Sequence, residues 1–304
     1  MVIDQELLKR IEAKKRQLDK AGPLNKDIVH KLREQMAIEL AYNSNAIEGS
    51  TLTLRETKLI LEEGITIGGK SLREHLEAIN HKEAFEWIEE EIKKKEAVSE
   101  KAILAIHKII MKGISTTWAG KYREGNIRVL GALFKPAQPR EIEEKMGVLV
   151  EELKKEKENS IERSAKAHYE LVLIHPFVDG NGRTARLLNN ILLMQEGYPP
   201  MIVLMNDRKK YYSCLRQADQ GNIQPFINFI ARNVERTLDI YLNAIATDEK
   251  REFISLQEAT KYCPYSQEYL SLLARKGKIE AIKIQRNWVT TRKAIEEYNK
   301  KKRK

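Results

Sequence analysis

Apolar residues recur along much of the chain at the spacing of an amphipathic α-helix. In residues 24–48 they are mostly separated by three, four or seven positions, so they share one face of a helix. These residues are Ile28, Val29, Leu32, Met36, Leu40 and Ile47. Similar patterns predict helices over residues 1–20, 71–95, 99–112, 139–157, 164–175, 183–196, 208–220 and 223–246. The sequence therefore predicts a mostly α-helical protein.

The segment covering residues 122–139, YREGNIRVLGALFKPAQP, breaks this helical pattern. The pair Gly125-Asn126 and the glycine at position 131 favour turns, and two prolines oppose a helix. We expect a short β-hairpin or flap there.

The pattern changes again near residue 250. Short helices capped by Ser255 and Ser266 are expected within residues 254–263 and 265–277. Alternating apolar and polar residues around positions 285–287 predict a hairpin, and a last helix follows it. This order of elements resembles a winged helix-turn-helix, and more narrowly the excisionase and MerR-type modules.

The composition limits the class of protein. The chain has 304 residues, of which 42% are hydrophobic, enough for two or three compact units. It contains no run of about 18 to 20 apolar residues, so no membrane span is expected. Its N-terminus is charged and amphipathic, so we expect a cytoplasmic protein. Cys214 and Cys263 have no metal-binding spacing and fit a reducing compartment.

The formal net charge of +10 is concentrated near the C-terminus. Residues 250–304 hold 15 Lys/Arg and 6 Asp/Glu, whereas the rest of the chain is nearly neutral. A phosphate-rich partner such as DNA would therefore bind this module. The candidate contacts are Gln267, Ser271 and Arg275 in a groove, Arg286 on the wing and the terminal KKKRK on phosphates. The alternative is a surface for protein docking or dimerisation.

Residues 175–186, HPFVDGNGRTAR, carry the densest chemistry. Two glycines let a ligand approach the backbone, and the helix that follows presents free N–H groups that bind anions. Arg183 and Arg186 share one face of that helix and suit a polyphosphate. Asp179 offers a hard oxygen to Mg2+, and His175 can take a proton from an attacking hydroxyl. These groups indicate transfer from a nucleoside triphosphate.

This segment matches the Fic family signature, HPFx(D/E)GNGRxxR, at every fixed position, and the resemblance extends over residues 35–245. It implies a protein adenylyltransferase that moves AMP from ATP to a Ser, Thr or Tyr hydroxyl of a protein, itself included. It also implies His175 as the general base, Asp179 as the Mg2+ ligand and Arg186 as the contact of the γ-phosphate. The implied nucleotide site comprises Asp179, Gly180, Asn181, Gly182, Arg183, Thr184, Ala185 and Arg186.

The resemblance gives roles to residues outside the motif. Fic proteins hold their target by strand-like pairing with a flap, here Val129, Leu130, Gly131 and Ala132, although an ordinary surface hairpin is the alternative. Tyr211 and Tyr212 stand where the family lines its adenine pocket, or else they are half-buried core residues. Asp219 lies where some relatives have an asparagine facing the nucleotide, and Asn190 is either a ligand or a packing residue.

Residues 44–49, SNAIEG, match the Fic inhibitory motif, (S/T)xxxE(G/N), through Ser44, Glu48 and Gly49. The resemblance implies that Glu48 pairs with Arg186 and occupies the guanidinium that ATP needs. Breaking such a desolvated contact costs on the order of 2 to 5 kcal/mol, enough to hold an enzyme inhibited. In some relatives the same glutamate positions a water that removes AMP, and the sequence does not choose between these roles.

The resemblance predicts a Fic-type helical bundle with a short β-hairpin flap and a small C-terminal winged helix-turn-helix domain. The expected divisions are an N-terminal helical region at 1–98 with the inhibitory helix at 28–48, a catalytic core at 99–246 and the C-terminal module at 250–304. The leading hypothesis is an autoinhibited protein adenylyltransferase, and relatives suggest a homodimer. The alternative is a DNA-binding regulator or toxin-like protein whose core senses a nucleotide or uses another phosphate donor.

Overall fold

The computed structural model describes residues 2–21, 26–129, 131–154, 159–248, 253–284 and 287–302. Over these residues the chain is mostly α-helical, as predicted. The first part contains α1 (Gln5–Lys20), α2 (Lys26–Ile47), α3 (Leu54–Glu63), α4 (Leu72–Glu91), α5 (Glu100–Ile110), α6 (Ile142–Leu153), α7 (Ser160–Ile174), α8 (Asn181–Gln195), α9 (Arg208–Asp219) and α10 (Gln224–Asp248). The C-terminal part contains β1 (Phe253–Ser255), α11 (Leu256–Ala259), α12 (Gln267–Arg275), β2 (Ala281–Ile284), β3 (Asn287–Thr291) and α13 (Arg292–Lys302).

Polar caps determine where several helices begin. Thr53 and Ser71 each form a capping box with the glutamate three residues later, which satisfies free N–H groups at the starts of α3 and α4. The apolar pattern did not predict α3, because this helix is short and buries only Thr57 and Ile60. Its signal in the sequence is the capping box itself.

The segment between α5 and α6 forms no strand in residues 111–138, apart from Leu130, which lies outside the described residues. The predicted β-hairpin is therefore not formed by these residues. A hairpin alone is marginally stable in water, and two prolines here cannot donate a ladder hydrogen bond. Instead, the buried guanidinium of Arg123 donates to the carbonyl oxygens of Gly125 and Ala137 and draws the two ends of the segment together.

Contacts divide the chain into two compact units, of which the first comprises residues 1–3 and 33–233. Nearly every residue of α8 is buried, and α4, α5 and α7 pack against it. Because α8 is buried on nearly all sides, it must be enclosed by other helices. This explains why the polar motif is flanked by apolar runs: it lies at the entrance of the central helix.

The second unit comprises residues 4–32 and 234–304, so α1 belongs with the C-terminal elements rather than with the predicted N-terminal region. Its antiparallel sheet has the order β1-β3-β2. Lys14 of α1 is buried and pairs with Glu235 and Asp239 of α10 at 3.1 and 2.8 Å. The apolar core of the sheet and its helices comprises Ile254, Leu256, Ala259, Leu270, Leu273, Ala274, Ile279, Ala281 and Ile295.

The helices and the C-terminal hairpin can be compared with two further predictions, the lack of a membrane span and the wing. None of the helices in the described parts of the chain combines the length and the apolar content needed to span a membrane. The predicted hairpin near residue 285 is confirmed as β2 and β3. Arg286, at its expected tip, and the last two residues of the KKKRK tail lie outside the described residues.

Candidate active site

The motif forms a short loop between α7 and α8, two helices that pack side by side. α7 ends at Ile174, and His175 caps it in the left-handed conformation with φ 50°, its N–H donating to the Leu171 carbonyl at 3.0 Å. A residue other than glycine adopts this conformation only when its surroundings hold it there. The loop ends at Gly180, whose φ of 80° begins α8.

Two buried side chains hold this loop in place. Arg123 donates from Nε to the His175 carbonyl at 2.8 Å. The amide of Asn181 donates to the Phe177 carbonyl at 2.9 Å and accepts the Phe177 N–H at 3.0 Å. Asn181 was predicted to bind phosphate, but its side chain is engaged by the loop, so its backbone is the part that can face an anion.

The first turn of α8 forms an anion-binding position. The first N–H groups of a helix have no partner within it, and they carry partial positive charge. Arg183 lies on this turn and Arg186 on the next, and they are 3% and 4% exposed. Thr184 and Ala185 are fully buried, and the Thr184 hydroxyl donates to the Gly180 carbonyl at 2.9 Å. The Thr184 N–H also donates to the Gly180 carbonyl, at 2.9 Å, so these two residues support the turn rather than face a nucleotide.

The ring of His175 is arranged as a base. Its Nδ1–H can donate to the Val172 carbonyl at 3.1 Å, which leaves the lone pair on Nε2. Burial lowers the pKa of His175, and the charge of Arg123 acts in the same direction. The imidazole is therefore neutral near pH 7 and able to accept a proton.

Asp179 stays ionised and has the chemistry of a magnesium ligand. Burial raises the pKa of its carboxyl, but Arg183, the Gly180 N–H and Arg73 outweigh burial and lower it overall. Its Oδ1 accepts the Gly180 N–H at 2.6 Å and Arg183 Nη2 at 3.3 Å. No cluster of three His, Cys, Asp or Glu side chains occurs among the described residues. A single carboxylate nevertheless fits Mg2+, which binds proteins through one or two carboxylates together with substrate phosphates.

Residues of α4 complete the charge balance around Arg183. Glu77 Oε1 lies 3.1 Å from Arg183 Nη1 and 3.0 Å from Arg73 Nε. Arg73 in turn donates to the Asp179 carboxylate. Two arginines and two carboxylates thus form one network, which holds Arg183 and Asp179 in fixed relative positions.

The residues of the inhibitory motif surround Arg186. Nη2 of Arg186 donates to the Glu48 carboxylate and to the Ser44 carbonyl, both at 2.8 Å, and Nε donates to the Ser44 hydroxyl at 2.9 Å. Burial alone would lower the pKa of Arg186, but Glu48 and nearby groups raise it overall. The ion pair predicted from SNAIEG is therefore formed.

Glu48 also covers the anion-binding turn itself. A Cβ atom added at Gly182 would collide with Glu48 Oε1 and lie 3.2 Å from Arg186 Nη1. The carboxylate thus lies against the bare backbone at the start of α8. Gly49, with φ 106°, follows Glu48 and turns the chain away after α2.

The two tyrosines predicted for the adenine pocket differ in burial. Tyr211 is 1% exposed and its hydroxyl lies 2.8 Å from His168 Nε2, so it is a core residue that presents no free face. Tyr212 is half-buried, and the guanidinium of Arg208 lies 5.0 Å from its ring centre. Of the two tyrosines, Tyr212 therefore keeps the more accessible ring.

The other predicted contacts are structural in this state. Asp219 accepts the Leu133 N–H and the Tyr169 hydroxyl, both at 3.2 Å, and so ties the flap segment to α7 and α9. Asn190 exchanges hydrogen bonds of 3.0 and 2.7 Å with the backbone of Met201, which is the packing role left open by the sequence. In the flap, the Ala132 N–H lies 3.4 Å from the Val129 carbonyl.

Comparison with known proteins agrees with this geometry. A family model described as Fic/DOC family matches residues 97–193. A protein adenylyltransferase Fic of Nematostella vectensis is 39% identical over 244 residues, which are 79% of this chain and 56% of that protein. The chain spans about half the length of the curated relatives it matches.

Two solved structures decide the family. Fic-1 of Caenorhabditis elegans superposes with a TM-score of 0.73 at 32% identity, covering 80% of this chain and 73% of that one. A Fic domain containing signaling protein of Bacteroides thetaiotaomicron gives a TM-score of 0.72 at 31% identity, covering 78% of this chain and 98% of that one. The chain belongs to the Fic/DOC family. Its loop at residues 175–186 is a Fic motif in sequence and in fold.

In this Fic protein, three residues of α4 and α5 contact the motif without having been predicted from the sequence. They are Arg73, Glu77 and His107. A partial signal exists for the first two, because they are four positions apart and share a helix face. No local pattern shows that this face points to the start of α8.

Proposed function

We propose that this Fic protein is an adenylyltransferase that transfers AMP from ATP to a Ser, Thr or Tyr hydroxyl of a protein, itself included. The observation that supports this most is the convergence of a neutral His175, the ionised Asp179 and two buried arginines on one helix N-terminus. The relatives' name, protein adenylyltransferase, points to the same activity.

In this proposal the phosphates of ATP lie at the start of α8. The backbone of residues 181–183 and the guanidiniums of Arg183 and Arg186 bind them, and the ring of Tyr212 contacts the adenine. Asp179 would hold Mg2+, which when bound neutralises charge on the phosphates. The flap around Val129 and Ala132 would pair with the target segment as an added strand.

His175 is the general base of the proposed reaction. Its Nε2 accepts the proton of the target hydroxyl as that oxygen attacks the α-phosphorus of ATP. A phosphodiester bond forms to the target, the bond between the α- and β-phosphates breaks, and pyrophosphate leaves. Arg183 and the helix N-terminus stabilise the charge that develops on the phosphoryl oxygens.

Glu48 inhibits this reaction by occupying the position of a phosphate. Its carboxylate contacts Arg186 and the backbone at Gly182, the two features that would bind the γ-phosphate. A second candidate activity is removal of AMP from the target. The Glu48 side chain keeps 35% of its surface exposed, which would let the carboxylate orient an attacking water.

Labelled ATP tests the proposal directly. We expect label from the α-phosphate, and not from the γ-phosphate, to appear on protein, more strongly with Glu48→Gly and not at all with Glu48→Gly/His175→Ala. Glu63→Gly, at the exposed end of α3, is the matched control and should behave like the wild-type protein. Label from the γ-phosphate alone would instead identify a kinase.

We further propose that the C-terminal module is a winged helix-turn-helix that binds DNA through α12. The order of β1, α11, α12, β2, β3 and α13 supports this arrangement, and Gln267 and Arg275 are exposed on α12. Filter binding of the full chain to duplex DNA should weaken steeply with salt, since phosphate contacts release counterions. No retention, or a flat response to salt, would favour protein docking or a homodimer, which sedimentation would detect.

A further inference from the structure

We propose that His107 of α5 is a positioning residue that sets where Asp179 and the start of α8 lie. This inference rests on the proposed function, because its consequence is the placement of the groups that would bind Mg2+ and the phosphates. His107 is 0% exposed and does not reach solvent or substrate. It acts through the backbone and one ring of the motif loop.

Three contacts join His107 to its surroundings. Its imidazole stacks on the ring of Phe177, with centroids 3.6 Å apart and planes inclined by 8°. Its Nε2 lies 3.0 Å from the Asp179 carbonyl oxygen, and its Nδ1 lies 3.0 Å from the backbone N of Gly120. The ring therefore connects α5, the turn after it and the loop that precedes α8.

The backbone partners fix the tautomer of the ring. An N–H of Gly120 can only donate, so Nδ1 must be the acceptor. The proton is then on Nε2, which donates to the Asp179 carbonyl. Among side chains of this size, only a neutral imidazole offers a flat stacking face with a donor and an acceptor at opposite edges.

His107 contacts the backbone directly before α8, next to the groups that would bind Mg2+ and the phosphates. The carbonyl that it holds belongs to the residue whose carboxylate is the Mg2+ candidate, and the next residue, Gly180, is the N-cap of α8. A Cβ at Gly180 would lie 3.2 Å from Met111 Sδ and 3.4 Å from His107 Cδ2. The loop therefore rests closely on α5 at this point, and a change at His107 shifts Asp179 and the first turn of α8 together.

A variant pair separates positioning from packing. His107→Phe keeps the stacking face and loses both hydrogen bonds, while Tyr122→Phe is the matched control at a second ring near Phe177. The Tyr122 ring lies 5.8 Å from the Phe177 ring, but its hydroxyl donates to Glu100 and does not contact Asp179. Both variants are made in the Glu48→Gly background.

We expect Tyr122→Phe to transfer AMP within about threefold of its parent, while His107→Phe falls on the order of 100-fold, since misplacing reacting groups by about 1 Å has that effect. The Mg2+ concentration for half-maximal binding of ATP, measured by calorimetry, should rise for His107→Phe only. Long-range 15N spectra of the parent should show His107 protonated on Nε2. Thermal unfolding reports whether each variant is folded, and His107→Leu, which also lacks both hydrogen bonds, replaces the phenylalanine if that variant is not.

Each result bears on one claim. Equal transfer and equal Mg2+ dependence for His107→Phe and Tyr122→Phe would overturn the positioning role, as would a proton on Nδ1. If the Glu48→Gly parent transfers no AMP, the proposed function fails. The calorimetric Mg2+ dependence and the tautomer still decide the role of His107 in that case.

Discussion

Two buried arginines on one turn of α8 meet their carboxylates in different ways. Arg183 lies against Glu77, whose side chain is 13% exposed and belongs to the middle of α4. Arg186 lies against Glu48, whose side chain is 35% exposed and follows the last residue of α2. An acid in mid-helix cannot leave without moving the helix, whereas one beyond a helix end can. In the proposed function, the α4 side of the site would therefore orient Arg183, and the α2 side would block Arg186.

The largest expected effect comes from removing the Arg186 side chain rather than that of Glu48. If Arg186 both binds ATP and holds Glu48, Arg186→Ala will not mimic Glu48→Gly. In the Glu48→Gly background we expect Arg186→Ala to lower the transfer rate by about 100-fold or more, as for loss of one donor to a developing charge. Initial rates with α-labelled ATP measure this. An activated Arg186→Ala protein would show that the arginine serves inhibition alone.

The isosteric pair Glu48→Gln and Glu77→Gln tests the comparison itself. Each change removes one charge from a carboxylate that contacts an arginine of α8. Hydrogen bonds to charged groups are worth about 1.5 to 3 kcal/mol, so we expect changes of about 10- to 100-fold in rate. Glu48→Gln should raise AMP transfer, and Glu77→Gln in the Glu48→Gly background should lower it. Two changes of the same sign would remove the distinction between the α2 and α4 sides.

Buried histidines behind the arginines predict a loss of stability in acid. Burial lowers the pKa of His81 to about 3, helped by Arg186 and Arg183, and lowers the pKa of His168 to about 3. Below pH 6.5, His81 and His168 bind protons in the unfolded chain but not in the folded chain. Their contribution to the free energy of unfolding is therefore complete above pH 6.5 and falls as the pH drops. Between pH 7.5 and 5.5 we expect a loss of about 1 kcal/mol per histidine.

Denaturant unfolding at these two pH values measures the loss. Unfolding at pH 7.5 and 8.5 provides the control, because neither His81 nor His168 changes its protonation between these values and the two stabilities should agree. Equal stability at pH 7.5 and 5.5 would mean that these rings are protonated without cost, which contradicts their burial.

The smallest expected effect concerns Ser44, which supports the blocked arginine. Ser44→Ala removes the hydroxyl that accepts from Arg186 Nε at 2.9 Å, but leaves the carbonyl contact. A single hydrogen bond is worth about 1 kcal/mol, so we expect AMP transfer to rise about fivefold in the otherwise wild-type protein. Ser50→Ala, just beyond the motif, should leave the rate unchanged. A fall in the Ser44→Ala rate would assign this serine to orientation rather than to inhibition.

The sequence predicted the contacts that reside in contiguous motifs. The loop and the helix after it could be expected because the motif carries its residue types at fixed spacing. The pairing of Glu48 with Arg186 was implied by the resemblance to the Fic family, whose inhibitory motif SNAIEG matches. Arg73, Glu77 and His107 could not, because their roles depend on how α4 and α5 pack on α8. Helical periodicity shows which face is apolar, but not which neighbour that face meets.

At two places, the flap segment and Tyr211, the structure differs from a sequence expectation or decides between two of them, for physical reasons. The flap was expected to form strands, but a hairpin without a third strand gains little, and the buried guanidinium of Arg123 binds its backbone instead. For Tyr211 the sequence left an adenine-pocket role and a core role open, and the structure shows its ring buried and its hydroxyl in contact with His168. In both places the conformation depends on a buried polar partner, Arg123 or His168, that is distant in the sequence or gives no local signal.

In the proposed function, the missing side chain at position 182 makes inhibition and nucleotide binding reciprocal. The backbone at Gly182 contacts the Glu48 carboxylate in this structure. In the proposed function a phosphate oxygen takes the same position, so the two cannot bind there together. By thermodynamic linkage, whatever factor Glu48 imposes on ATP affinity, ATP imposes on the docking of Glu48. A higher ATP concentration would then weaken the docking of Glu48 at the end of α2. ATP would thus act both as the substrate and as a signal that relieves inhibition.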